Sequence, residues 1–222
     1  MTSSVLSPTM ANVQPNVLIV GAGPSGLLLA LLLAKRNIPV QIIDLNKEVD
    51  QQPRATHYAP PAIYELHRAG VLDEARSRGL EPRTLMWRKL DGTPIAGIDG
   101  SVLKDDYDRR VCLPVGELTN LLFQELSKQP NATISWGYKA ISIGQDEEKA
   151  WVEVDTPMGS TTLIASYVVG CDGANSRIRR ALFGDKDFPG RTWDEQIVAT
   201  NVSLSHSLTK RDGADIVLLD IL

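Results

Sequence analysis

Six residues near the start of the chain, Gly21-Ala22-Gly23-Pro24-Ser25-Gly26, have the spacing GxGxxG, which suits a pyrophosphate. The first glycine permits a tight turn, the second lets phosphate approach the backbone, and the third lets helix and strand pack closely. Free N–H groups at a helix N-terminus then face the anion. Gly21, Gly23, Pro24, Ser25 and Gly26 are therefore candidate cofactor contacts; the bland alternative is a glycine turn kept for packing alone. Asp44 lies 23 positions after Gly21 (44 − 21) at the end of an apolar run. A carboxylate there would accept hydrogen bonds from a ribose hydroxyl and repel a 2′-phosphate, so the expected dinucleotide is FAD or NAD rather than NADP. A second constellation is Cys171-Asp172-Gly173-Ala174-Asn175-Ser176-Arg177-Ile178-Arg179. Asp172 can fix a turn and accept from ribitol, backbone or guanidinium donors. Gly173 lets the chain pass close to a ligand, and Arg179 supplies a charge for phosphate. An isolated Asp-Gly pair reads as a plain turn before a basic helix start; Ser176 and Arg179 in register behind an apolar strand favour the ligand reading.

These residues need elements to hold them. Asn16 to Val20 reads as a buried parallel strand, Pro24 to Asn37 as a helix, and Pro39 to Asp44 as a second strand. Strand, glycine turn, helix, strand is one βαβ unit, whose right-handed crossover sets the two strands side by side in a parallel sheet. Pro60 to Ala69 reads as a helix capped by Gly70, and Gly116 to Lys128 as another with an apolar face. Leu85 to Lys89 and Thr93 to Ala96 form a hairpin signal around Asp91-Gly92. Ile134 to Trp136 and Tyr138 to Ile143 suggest strands. Trp151 to Asp155 and Thr161 to Ile164 form a further hairpin around Pro157, and Tyr167 to Gly170 is an apolar strand feeding Cys171. Ile197 to Leu204 and Ile216 to Leu222 read as extended. The last run ends the sequence in mid-strand, which leads to the expectation that the chain is truncated.

Composition excludes several classes of function. A formal charge of −4 gives no reason to expect nucleic acid or an anionic membrane, and the basic run Arg177 to Arg180 is too small to reverse that. Cys112 and Cys171 make no disulfide framework and no metal-ligand spacing, so no metal is expected and a reducing, cytoplasmic location is. Residues 1–14 lack a basic and apolar leader and read as a flexible tail. The apolar run Leu27 to Ala34 is too short to span a membrane, and Asn131-Ala132-Thr133 is a chance glycosylation match. His57, His67 and His206 are scattered; only His57, beside Arg54, is placed where a ligand could lie. Trp87, Trp136, Trp151 and Trp193 read as packing rather than as a platform for bases.

The sequence resembles the class A flavoprotein monooxygenases, with the fold of para-hydroxybenzoate hydroxylase, and among them the fungal phenol-hydroxylase-like members. The resemblance rests on GAGPSG with Asp44, on Pro53-Arg54-Ala55-Thr56-His57, and on the DGxxSxxR run from Asp172 to Arg179. It implies an α/β fold: a Rossmann-type FAD-binding domain with a parallel sheet and a β-meander over 15–82 and 108–186. An incomplete substrate-binding β-sheet would occupy 83–107 and 187–222. It also implies FAD as cofactor, with Arg54 reaching the flavin side, and NADPH or NADH as reductant. The implied reaction is hydroxylation of a phenolic or polyketide-like aromatic by O2, with no catalytic acid or base identifiable. Two departures stand out. Leu113-Pro114-Val115-Gly116-Glu117 lacks the glutamine that many members place against the flavin, so Arg109 or Arg110 would replace that contact, and the later GD motif is absent. A homodimer or a completing chain is a further expectation. The rivals are an NAD-dependent dehydrogenase or flavin reductase, against which the Asp-Gly run argues, and a non-catalytic FAD-binding homologue or accessory protein.

Overall fold

The computed structural model describes residues 16–52, 56–89, 91–103, 106–184, 189–191, 194 and 215–219. The expected tail 1–14, Arg54, Trp193, His206 and the extended run 197–204 lie outside the described residues. The glycine-turn unit forms as its sequence pattern requires: β1 (Val17–Val20), α1 (Pro24–Ala34) and β2 (Val40–Asp44). Pro24 opens α1, where its missing N–H costs nothing. The helix stops three residues before the predicted Asn37, which adopts a left-handed φ of 61° and breaks the i to i+4 ladder. The Asn131 side-chain amide donates to the carbonyls of Ala34 and Ile38, at 3.0 and 3.2 Å, and so satisfies acceptors at this helix end.

Next come β3 (His57–Tyr58), α2 (Pro60–Arg68), α3 (Leu72–Arg78), β4 (Thr84–Arg88), β5 (Pro94–Asp99) and β6 (Val111–Cys112). They are followed by α4 (Val115–Leu126), β7 (Ala132–Trp136), β8 (Lys139–Gln145), β9 (Ala150–Thr156) and β10 (Gly159–Ala165). The last are β11 (Tyr167–Gly170), α5 (Arg177–Phe183) and β12 (Asp215–Leu219). The sequence reading missed α3, whose seven residues are too few to show a period. It also missed β3 and β6, which are two residues each and pair with one another, β6 bridging Leu80 as well.

The central sheet runs β11-β1-β2-β7, every pair parallel. Because side chains alternate across a strand, β1 serves two cores at once. Val17 and Ile19 point to the helical layer with Leu27, Leu31, Leu121 and Leu122. Leu18 and Val20 point the other way, to Val152, Val154, Ala165 and Ile178. That second core belongs to the antiparallel meander β10-β9-β8, which covers the opposite face of the parallel sheet together with α5. A strand buried on both faces must be apolar throughout, which is why β1 reads Val-Leu-Ile-Val. A third sheet, β12-β4-β5, joins the chain around residue 90 to 215–219, with β12 parallel to β4. Its β5 strand is exposed along its length, with Ile95 and Ile98 each half uncovered.

Candidate functional site

In an open parallel sheet, ligands bind beyond the carboxyl ends of the strands. Here β1 leads into Gly21, β2 ends at Asp44, β7 ends at Trp136 and β11 leads into Cys171-Asp172, and these residues line one cavity of about 560 Å³. That size lies in the range of small-molecule and cofactor sites. The three glycines of the turn do three different things. A Cβ on Gly21 would stand 2.3 Å from the Cys171 carbonyl oxygen, and its φ is +109°. A Cβ on Gly26 would stand 2.0 Å from the Gly21 carbonyl oxygen. On Gly23 a Cβ would have nothing within 4 Å, so this backbone faces open space in the cavity wall. Packing therefore accounts for Gly21 and Gly26, while Gly23 leaves the cavity wall open to a close-approaching group. The open cradle and the N-terminus of an eleven-residue helix suit the pyrophosphate of FAD.

Asp44 holds the turn and faces the cavity. One carboxylate oxygen accepts from the Ala22 N–H at 2.6 Å and the other from the Asn46 N–H at 2.7 Å. Lone pairs remain on both oxygens for a ribose hydroxyl. Asp172 is more heavily committed. It accepts from the Ser176 hydroxyl at 2.5 Å, the Arg177 N–H at 2.5 Å and the Ile178 N–H at 3.2 Å, while Ser176 Oγ in turn accepts from the Arg179 N–H at 2.9 Å. The pair caps α5 and locks the loop, so Gly173, at φ +80°, is held with open space beside it in the cavity wall.

Arg179, the expected phosphate charge, stands away from this cavity. The Arg179 guanidinium donates to the Ala174 carbonyl at 2.8 Å, and Arg179 does not line the cavity. Arg177 and Arg180 do. They are three residues apart and share a helix face, a spacing the sequence shows once α5 is known to be helical. Pro24 lines the cavity, Gly26 is buried beneath it, and Ser25 is exposed outside it. Trp136 both packs edge-on against Phe123, with ring centroids 6.0 Å apart, and lines the cavity. At the start of α4, Val115 and Gly116 stand where a glutamine was expected; Val115 lines the cavity with Thr119, and Gln52 lines it from the opposite loop. Neighbouring Gln51 clasps Asn120 of α4 through paired amides at 3.2 and 3.3 Å.

Arg110, the expected replacement for that glutamine, lies instead in a second cavity of about 520 Å³, with Arg109, Arg83, Pro60, Leu85 and Ile98. One short segment joins the cavities: residues 110 to 115 run from the second to the first through β6, which pairs with β3. Five residues span at most about 18 Å, so the two sites are within reach of one elongated ligand or of two adjoining ones. His57 bonds Thr56 Oγ1 at 2.8 Å through Nδ1 and lines neither cavity. His67 is exposed and meets the Tyr107 hydroxyl at 3.2 Å, which pins the 106–108 turn before Arg109 to α2.

Burial governs the weak acids around these segments. It pushes the Cys171 thiol up, with the Asp172 carboxylate adding to the effect, and pushes the Cys112 thiol up against a partial opposition from Arg110. Tyr58, whose hydroxyl is buried without a hydrogen-bond partner, is pushed up to about 12, chiefly by burial and then by Cys112. In each case the unfolded chain releases its proton first. Stability is thus fully present below the ordinary thiol value of 9.0 and is lost as pH rises towards 12. Urea midpoints are expected to be level from pH 7 to 8 and to fall steadily above pH 9. Replacing both cysteines with alanine should flatten the first part of that fall; an unchanged slope would exclude the thiols as its source.

Comparison with known proteins agrees with this geometry. Residues 14–218 match the family described as FAD binding domain. The chain is 36% identical over 203 residues to para-nitrophenol 4-monooxygenase of Pseudomonas sp. (strain WBC-3), covering 90% of this chain and 50% of that protein. It is 30% identical over 192 residues to 6-hydroxy-3-succinoylpyridine 3-monooxygenase HspB of Pseudomonas putida, covering 86% and 49%. Among solved structures, p-nitrophenol 4-monooxygenase PnpA of Pseudomonas putida DLL-E4 superposes with a TM-score of 0.73 at 34% identity, covering 76% of this chain and 43% of that one. The chain spans about half the length of these curated relatives. The matched segment holds the glycine turn, Asp44 and the Asp-Gly loop, and so the chain belongs to the FAD-binding domain family of the class A flavoprotein monooxygenases.

Proposed function

We propose that this chain binds FAD and serves an NAD(P)H-dependent monooxygenase that hydroxylates a small phenolic aromatic. The carrying observation is the cavity beyond the parallel strand ends, in which Gly23 leaves an opening and Asp44 and the Asp-Gly loop flank it. The backbone at Gly23 and the start of α1 would take the pyrophosphate, Asp44 a ribose hydroxyl, and Arg177 and Arg180 negative charge at the rim. Arg54 is proposed for the flavin side, as the family resemblance implies. Bound flavin supplies reduction by NADPH or NADH and activation of O2; the protein's share is to position it, seat the substrate and exclude water. The substrate would enter the second cavity, bounded by β4 and β5, where a planar ring finds Pro60, Leu85 and Ile98. Phenolic specificity is inferred from the relatives, one of which is a para-nitrophenol 4-monooxygenase. The two cysteines, neither of them bridged, fit a reducing compartment such as the cytoplasm. Among the described residues no helix is long and apolar enough to cross a membrane.

The test is visible absorbance of the purified chain with added FAD. A bound flavin spectrum, with FAD identified after denaturation, is expected; a chain that stays colourless at high FAD would sink the reading. A second reading is that the chain holds FAD but does not hydroxylate unaided. Flavin binding without phenol-dependent NAD(P)H oxidation would select it.

A further inference from the structure

Two walls of the first cavity are tied together by side chains that do not line it. One wall is the loop after β2, from which Asp50 and Gln52 face the cavity; the other is the start of α4, from which Val115 and Thr119 face it. Gln51 sits between the first two and Asn120 follows the last, and neither lines the cavity. They meet each other instead. Gln51 Nε2 donates to Asn120 Oδ1 at 3.2 Å, and Asn120 Nδ2 donates to Gln51 Oε1 at 3.3 Å. The same Gln51 Nε2 donates to the carbonyl of Val49, a buried residue, at 3.3 Å, and Asp50 Oδ1 accepts from the Gln52 N–H at 2.9 Å. Gly116 makes room for this pair. A Cβ there would stand 3.2 Å from Gln51 Oε1, 3.7 Å from Gln51 Cα and 3.9 Å from the Asp50 carbonyl oxygen. Position 116 is helical with an ordinary φ, so the helix itself has no need of glycine; the missing side chain serves the loop.

We propose that the Gln51–Asn120 amide pair, seated over Gly116, is a positioning clasp that holds the 49–52 wall against α4 and slows the release of FAD. The inference rests on the FAD reading of this cavity and adds to it residues that act on the cofactor only through their neighbours. A reciprocal amide pair fixes the orientation of both side chains as well as their separation. Gln51 is exposed and Asn120 half-buried, so the pair contributes little to folding, and its loss is read in the ligand rather than in the fold.

The full chain, its Asn120→Ala and Gly116→Ala variants and the double variant would be loaded with FAD and diluted, with release followed by flavin fluorescence. Melting temperatures of the flavin-free proteins would be measured alongside. Each single variant is expected to release FAD about three- to tenfold faster than the parent, with association nearly unchanged. The flavin-free melting temperature should stay level in Asn120→Ala and stay level or rise in Gly116→Ala, because alanine favours a helix over glycine. A chain as stable as the parent that holds its ligand less well is not what a merely structural role of Gly116 would give. Both substitutions break the same clasp, so the double variant should be no worse than either single one. Exchanging the amides, Gln51→Asn with Asn120→Gln, should recover part of the retention lost in Asn120→Ala. Release at the parent's rate in either single variant, losses that multiply in the double variant, or loss of FAD only in step with a lower melting temperature would each overturn the proposal. A parent chain that takes up no FAD would overturn the FAD reading and the clasp with it, whereas a parent that binds FAD no better than its variants would overturn the clasp alone.

Discussion

Gly26→Ala is expected to unfold the dinucleotide turn, whereas Gly23→Ala, three residues away, should leave the fold intact and disable only the binding. The new methyl at position 26 would stand 2.0 Å from the Gly21 carbonyl oxygen and 3.3 Å from the Cys171 Cβ. Neither backbone can retreat, because the Gly21 N–H is bonded to Ile43 and the Cys171 N–H to Val20, at 2.8 and 2.7 Å. Overpacking of this kind costs about 3 kcal/mol. For a chain of this size that corresponds to a fall in melting temperature of roughly 6–12 °C, and FAD uptake should vanish with it. At position 23 the φ of −72° suits alanine and no atom lies within 4 Å. The stability loss there should be only about 0.5–1 kcal/mol, from a poorer helix cap. FAD affinity should still fall roughly ten- to a hundredfold, because the methyl fills the space the pyrophosphate needs. Thermal denaturation and FAD titration of both variants check the pair; Gly23→Ala binding FAD like the parent would remove the pyrophosphate from this wall.

The second large effect is expected at Asp172. Its carboxylate takes the Ser176 hydroxyl and two backbone N–H groups at the start of α5. Asp172→Ala leaves those donors without their acceptor and should destabilise the chain by about 2–3 kcal/mol, a charged acceptor being worth more than a neutral one. Asp172→Asn keeps one carbonyl acceptor and should lose about half as much. Because the loop carries Gly173 and Asn175 into the cavity wall, FAD affinity should drop in the same order as stability. If Asp172→Ala instead keeps full stability and loses only FAD, the carboxylate acts on the ligand and not on the helix.

The outcomes at Asp172 and Arg179 show what a spacing pattern conveys. The run DGxxSxxR marked the right loop because its register is that of an N-terminal cap: Asp172 and Ser176 satisfy the first free N–H groups of α5. The same register says nothing about which arginine faces the ligand. That depends on the direction in which α5 leaves the sheet, set by Ile178 packing into the core between β1 and the meander. With Ile178 inward, Arg177 and Arg180 line the cavity, Arg180 while its guanidinium donates to the Ser176 and Asn175 carbonyls, and Arg179 lies outside it, donating to Ala174.

The βαβ unit was legible from sequence for a local reason. Each of its requirements, an apolar strand, glycines at fixed offsets, a proline opening the helix and a carboxylate at the second strand's end, is met within residues 17–44. The meander hairpin was legible likewise, from alternation on either side of Pro157 and Met158. By contrast β3, β6 and α3 are too short to leave a period. The place of Arg110 was not legible, because its neighbours in the second cavity, Pro60, Leu85 and Ile98, are distant in sequence. The sequence by itself determined the dinucleotide turn and the strands and hairpins of its neighbourhood, since these follow from local sterics and alternation, and its motifs carried the resemblance to the family. Only the tertiary structure decided which guanidiniums share a pocket, because charge is read across space, and spacing along a chain does not convey it.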